Sequence, residues 1–313
     1  MSTGVTQPTS SADLPVGGPE LAEAEAEAVE AAGPRWWQII WANRKARVGI
    51  VILGVYVLIA LFAPWIAPYD GTRTDFEALL EPSAAHWLGT TTSGGDILSQ
   101  LIWGSRVSLL VGLFGGLFAT MIALVIGMIS GYFEGTWIDE VLSFLTNVAL
   151  VVPILPLIIT LMAYTEDRSI WFTIFVIAIT SWAGAARAKR SQIITLRNRD
   201  FVTAAKFSGE RSWTIVFREI MPGMSSLIMA GFFGAATGAV GAEAGLSFLG
   251  LGDTNSVSWG TMLYQANQQG ALAQGLWIWL FVPGVALAVL ITAFTFVNFG
   301  IDLLSNPHLR EDG

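Results

Sequence analysis

Six long apolar runs, each close to the length needed to cross a bilayer, constrain this chain more than any other feature. They occupy residues 48–67, 107–131, 141–163, 170–186, 224–250 and 276–299. A hydrocarbon layer of about 30 Å takes about 20 residues of helix. At that depth no water satisfies the backbone, so each N–H and C=O must be paired within the protein, and a helix pairs them within its own segment. The runs therefore predict an all-α integral membrane protein with six transmembrane helices. The charged fraction agrees: 13 %, where soluble domains carry about 25 %. The chain has no cysteine and only two histidines, His86 and His308. That excludes disulfides and thiol chemistry, and it leaves no thiolate or histidine-rich metal site.

The polar stretches carry direction, because cytoplasmic loops are enriched in Lys and Arg. Of the 16 such residues, all but Arg73, Arg106 and Arg168 lie before the first run, between the fourth and fifth, or after the sixth. A chain that starts in the cytoplasm returns to it after four crossings and again after six, so run count and charge bias agree on N- and C-termini cytoplasmic. Residues 1–33 carry Asp13, Glu20, Glu23, Glu25, Glu27 and Glu30 with no apolar periodicity, which predicts an acidic, disordered cytoplasmic tail. Its acidity also separates it from a signal peptide, whose first region is basic. In 34–47, Trp37, Ile40, Trp41 and Arg44 recur at helical steps, as on a short interfacial helix. A first span at 48–67, an extracytoplasmic segment at 68–105, a core of five spans at 106–302 and a tail at 303–313 complete the expected organisation.

Within the spans, Gly112–Gly116, Gly127–Gly131, Gly234–Gly238 and Gly241–Gly245 have the small-xxx-small spacing that lets helices approach closely. Packing within one bundle accounts for it. Pro153 and Pro156 are expected to kink the third span and free carbonyls. Glu243, a carboxylate in an apolar run, is expected to face water or a partner group. Candidates for the pathway or its gating are Glu243, Asn147, Pro153 and Asn298.

The longest basic segment, 187–222, is far longer than a turn needs to be. Eight bases against Asp200, Glu210 and Glu219 leave about five net positive charges, enough to attract anionic headgroups. Charge does not explain its pattern. Good helix formers at 201–207, a glycine able to close that helix at Gly209, a second helical stretch at 213–221 and a break at Pro222 read as helix, turn, helix. On the second stretch Trp213, Val216, Phe217 and Ile220 are expected on one side.

Thr203-Ala204-Ala205 followed by Gly209 and Pro222 resembles the EAA loop of bacterial ABC importer permeases, with Thr203 where Glu is usual and Glu219 where His is often found. The chain is most similar to the C-type permeases of dipeptide and oligopeptide importers. The resemblance continues in HWLGTTTSGGDILSQLIWGSRVSLLVG (86–112), with Thr91 and Gly95 for the usual Asp and Arg. It runs on through SGYFEGTWIDEVLSFLTNVALVVP (130–153), where Phe144 and Asn147 stand for Arg and Asp. EAGLSFLGLG (243–252), SWGTML (258–263), FVPGVALAVLITAFTFVNFGIDL (281–303) and NPHLR (306–310) follow in order.

That resemblance implies a type I ABC importer permease architecture, with ATPase coupling through Thr203, Ala204, Ala205, Lys206, Gly209 and Pro222. It implies a second homologous permease, two ATP-binding subunits holding the ATP and Mg, an extracytoplasmic peptide-binding protein and a peptide cargo, in the bacterial inner membrane among lipid. It calls for no cofactor or metal in this chain and no nucleic acid. Two rival readings stay open: the same kind of importer for nickel or another small solute, and a channel or scaffold without ATPase coupling. An enzyme is disfavoured, since no GxxxxGK[ST] surrounds any lysine and no HExxH occurs.

Overall fold

The computed structural model describes residues 40–165, 168–253 and 255–305. The acidic tail, Trp37 and the 306–310 motif lie outside them. Ten helices of eight or more residues make up the described architecture, with one isolated β-bridge between Thr90 and Asp96. They are α1 (Arg44–Ile66), α2 (Ile97–Tyr132), α3 (Trp137–Val151), α4 (Ile154–Ala163), α5 (Ile170–Ser181), α6 (Ala183–Arg197), α7 (Asp200–Phe207), α8 (Ser225–Phe248), α9 (Trp259–Gln268) and α10 (Trp277–Ser305). Four of them, α1, α2, α8 and α10, are long and apolar enough to cross a membrane singly. The pairs α3–α4 and α5–α6, bent by 83° and 47°, are each long and apolar enough together for one more, so the described residues hold four such spans, or six if each bent pair is one span.

Two helices start at a capping side chain rather than at the edge of an apolar run. α1 begins at Arg44, ahead of the first apolar run, where the Asn43 side chain accepts from the Ala46 N–H at 2.9 Å. Most of the expected interfacial segment at 34–47 lies outside the described residues or within the start of this helix. Lys45 and Arg47 thus sit in the first turns of the span, and the Lys45 ammonium lies 5.5 Å from the centre of the Phe299 ring. Likewise α2 starts ten residues before the second apolar run. Asp96 caps it, accepting from the Ser99 N–H and hydroxyl at 2.8 and 2.6 Å, with His86 Nδ1 2.9 Å from its other oxygen.

α2 forms the axis of the molecule, packing along α6 on one flank and α8 on another, while α10 joins α8 to α1. The contacts are close because glycine permits them. A Cβ on Gly116 would lie 2.7 Å from the Ala236 backbone nitrogen, and one on Gly127 would lie 2.7 Å from the Ala186 carbonyl oxygen. Around the α2–α8 crossing Trp259, Trp279, Leu290 and Phe294 fill one buried cluster. α9, too short to cross a membrane, is held against α2 by the Trp259 indole N–H, which donates to the Leu101 carbonyl at 2.9 Å. The third span does more than kink at Pro153. The chain turns through 83° there, with Pro153 as the N-cap of α4 and Pro156 in its first turn, where a proline's missing N–H costs nothing.

Candidate functional site

α7 stands at the centre of the basic segment. Asp200 opens it, favourably placed for the helix dipole. Val202 is fully buried, and Ala205 packs half-buried on a cluster made by Met128, Ile193, Ile215, Val216, Ile220 and Met224. Thr203, Ala204, Lys206 and Phe207 face outward. The Thr203 hydroxyl donates to the Arg199 carbonyl inside its own helix at 3.3 Å. The Lys206 ammonium lies 5.8 Å from the centre of the Tyr132 ring.

Gly209 closes this helix as its spacing suggests. Its φ is +77°, a left-handed value that favours glycine. Its N–H donates to the Lys206 carbonyl at 3.0 Å, and the Glu210 N–H donates to the Ala205 carbonyl at 3.2 Å. These two bonds form a Schellman cap.

The second stretch departs from expectation. Ser212–Thr214 leads into a π-helix, Ile215–Ile220, and then a single turn, Met221–Gly223. Pro222 does not break the chain. It sits in the first turn of that last piece, where it needs no N–H partner, and the break falls at Met224. The expected single face also splits. Ile215, Val216 and Ile220 are buried, while Trp213 and Phe217 are exposed and stack at 5.9 Å. A π turn brings i and i+5 into line, so Ile215 and Ile220 share the inner side and the aromatic pair is left outside.

Between α2, α3 and α6 lies a polar network that sequence reasoning missed. Asp139, near the start of α3, accepts from Arg190 Nε and Nη2, both at 2.8 Å, from the Ser130 and Ser143 hydroxyls at 2.6 and 2.9 Å, and from the Gly135 N–H at 3.2 Å. Arg197 donates to the Tyr132 carbonyl at 2.8 Å and pairs with Glu134 at 3.4 Å. Lys189 is buried, its Cβ against Gly127 and its ammonium reaching Gly231 on α8. Several bases taken as orientation signals thus hold α6 to the neighbouring helices. The only signal for this in the sequence is an acid placed at the mouth of an apolar run.

The four pathway candidates sit on different elements, and no hydrogen bond joins any two of them. Asn147 Oδ1 accepts from Arg187 at 2.7 Å, linking α3 to α6. Pro153 is exposed at the α3–α4 break. Glu243 is buried near the end of α8 remote from the basic segment. It takes a hydrogen bond from the Ser247 hydroxyl at 2.7 Å and shares a narrow cleft with Thr173, Ser258 and Thr261. Asn298 is half-buried on α10, and its Oδ1 has no hydrogen-bond partner among the described residues.

The glycine pairs divide as well. Gly112 and Gly116 on α2 meet α8, and Gly127 and Gly131 meet α6. Gly234, Gly238, Gly241 and Gly245 meet nothing within 4 Å and form a bare stripe along the exposed side of α8. Packing within the bundle therefore accounts for only half of the small-residue spacing.

Residues 123–311 match the family described as binding-protein-dependent transport system inner membrane component, and residues 35–82 match the N-terminal TM domain of oligopeptide transport permease C. The chain belongs to this permease family. The permease is 32 % identical over 272 residues to the dipeptide transport system permease protein DppC of Alkalihalophilus pseudofirmus, covering 86 % of this chain and 88 % of that one. It is 32 % identical over 283 residues to the glutathione transport system permease protein GsiD of Pectobacterium atrosepticum, covering 88 % and 92 %. It is 31 % identical over 273 residues to the oligopeptide transport system permease protein OppC of Bacillus subtilis, covering 86 % and 88 %. Its fold is similar to a chain of the inward-facing MetNI methionine ABC transporter, with a TM-score of 0.53 and 16 % identity over 66 % of this chain and 95 % of that one. The permease is an all-helical inner-membrane component with an ABC importer permease fold.

Proposed function

We propose that the permease is one of two paired membrane subunits of an importer that carries di- and oligopeptides inward, powered by ATP hydrolysis on separate ATP-binding subunits. Both termini lie in the cytoplasm, and an extracytoplasmic peptide-binding protein delivers the cargo. ATP and Mg belong to the partners, and this chain is not catalytic. The reading of peptide as cargo is supported by the names of the relatives, several of which are dipeptide or oligopeptide permeases.

The observation that carries the coupling is the mounting of α7. Its outer face offers Thr203, Ala204, Lys206 and Phe207 to a partner. Its inner face, through Val202 and Ala205, rests on residues of α2, α6 and the π-helix. A push on the outer face is delivered to two spans at once, because a packed cluster transmits displacement where a loose loop would absorb it. The cap at Gly209 holds the far end in register. On the other flank, the bare stripe of α8 supports an interface with the second permease, along which the pathway runs, since glycine surfaces let membrane helices approach.

An engineered cysteine at Ala204 would be the only thiol in the chain. In native membranes, Ala204→Cys is expected to cross-link to an ATP-binding subunit, more strongly in one nucleotide state than in another. Capture of no ATP-binding subunit in any nucleotide state refutes the coupling role.

A further inference from the structure

We propose that the cavity between α2, α3 and α6 binds the phosphate group of an anionic phospholipid. The cavity measures about 200 Å³ and is lined by Ser130, Ser143, Thr146, Asn147, Arg187 and Arg190 among others. A single water needs only about 10–15 Å³, so the space admits a phosphate with part of its hydration.

Charge comes first. Arg190 is neutralised by its two-point contact with Asp139. Arg187 is not: its partner is the neutral Asn147 carboxamide, and among the described residues no carboxylate pairs with it. The cavity therefore carries one uncompensated positive charge.

Hydrogen-bond capacity points the same way. The Ser130 and Ser143 hydroxyl protons are given to Asp139, the Thr146 hydroxyl donates to the Leu142 carbonyl, and Asn147 Oδ1 is occupied by Arg187. What remains is mostly donor. A guanidinium has five N–H groups, of which Arg187 gives one to Asn147. The Asn147 carboxamide N–H groups and the unspent N–H groups of Arg190 add to these. A cluster rich in donors with a net positive charge suits phosphate oxygens, which guanidinium groups meet in pairs.

The flank selects the source. Beside Asn147 at helical steps, Phe144, Val148 and Val151 stand exposed on α3. A free phosphate would fill the cavity and leave that apolar strip bare, whereas a phospholipid satisfies both. Basic pockets between membrane helices on the cytoplasmic side take acidic headgroups. That placement rests on the orientation proposed above, while the charge and donor arguments do not.

The test uses the full chain purified in mild detergent, with equal amounts of phosphatidylglycerol and phosphatidylcholine, read by native mass spectrometry. The wild type is expected to retain the anionic lipid in preference. Arg187→Gln should reduce that preference about tenfold, the loss of one charge-assisted contact, and Arg187→Lys should keep part of it. Equal retention of the two lipids by the wild type overturns the lipid assignment. So does a preference that Arg187→Gln leaves unchanged. In a second arm, inorganic phosphate is added without lipid and the thermal midpoint is measured. A rise in the wild type without any lipid preference moves the site to a soluble anion, and no response in either arm overturns the anion site itself. Because binding is read on the isolated chain, failure of peptide uptake would bear on the transport reading and not on this one.

Discussion

Asp139 draws two hydroxyls, a backbone N–H and a guanidinium from α6 onto one carboxylate at the start of α3. Asp139→Asn keeps the size of the group and removes its charge. Breaking a buried pair costs about 3–5 kcal/mol, but Arg190 keeps 32 % of its side-chain surface exposed and can rehydrate. A loss of roughly 1–3 kcal/mol is expected, seen as a lower thermal midpoint in detergent. An unchanged midpoint would show that the network does not hold α6 in place. Glycines give a paired test on the same assay. Gly116→Ala forces a Cβ against the Ala236 backbone, which cannot move aside, and should cost about 1–3 kcal/mol. Gly238→Ala meets nothing and should be neutral, or stabilising by up to about 1 kcal/mol. Equal effects from the two would contradict the packing described here.

Among the elements, α7 depends on its closing turn. At Gly209 no atom obstructs a Cβ, so the cost of Gly209→Ala is backbone strain alone, about 1–2 kcal/mol at a left-handed φ. Uptake should fall and the complex should still assemble. Gly209→Pro also deletes the N–H given to Lys206 and cannot adopt that φ, so it should abolish uptake in a protein that is still inserted and paired. Transport at the normal rate by Gly209→Pro would remove α7 from the coupling path.

This helix and its cap were legible in the sequence because Gly209 and the alanines act locally. The four unbroken spans were legible because run length alone reports them, and the other two runs are those that the structure bends. The extension of α6 to Arg197 was not. A hydropathy reading treats Arg187, Lys189 and Arg190 as the end of a span, yet these are good helix formers, and Ala186 and Ile193 continue the face that meets Gly127 and Gly131. Pro153 announced a break but not an 83° turn, since its size is set by packing between helices. The π-helix left no local mark, and so the division of Trp213 and Phe217 from Val216 and Ile220 was misread. Asn147, Pro153, Glu243 and Asn298 are polar or helix-breaking residues in apolar runs, and that alone says nothing about which of them share a place.

For the molecule as a whole, the proposed interface is tested at the stripe from Gly234 to Gly245, about 16 Å long on a helix rising 1.5 Å per residue. Gly238→Leu should leave the stability of the isolated chain unchanged, because its site is open. It should prevent co-purification with the second permease and abolish uptake. Normal pairing and normal uptake together would assign that face to lipid. If cargo travels beside this stripe, it moves along bare main chain whose amides are already paired within the helix. Such a corridor cannot tell a lysine from a leucine in the traveller. Choice among peptides would then be made at the door, by whatever hands the cargo over, while the passage itself stays indifferent to what goes through.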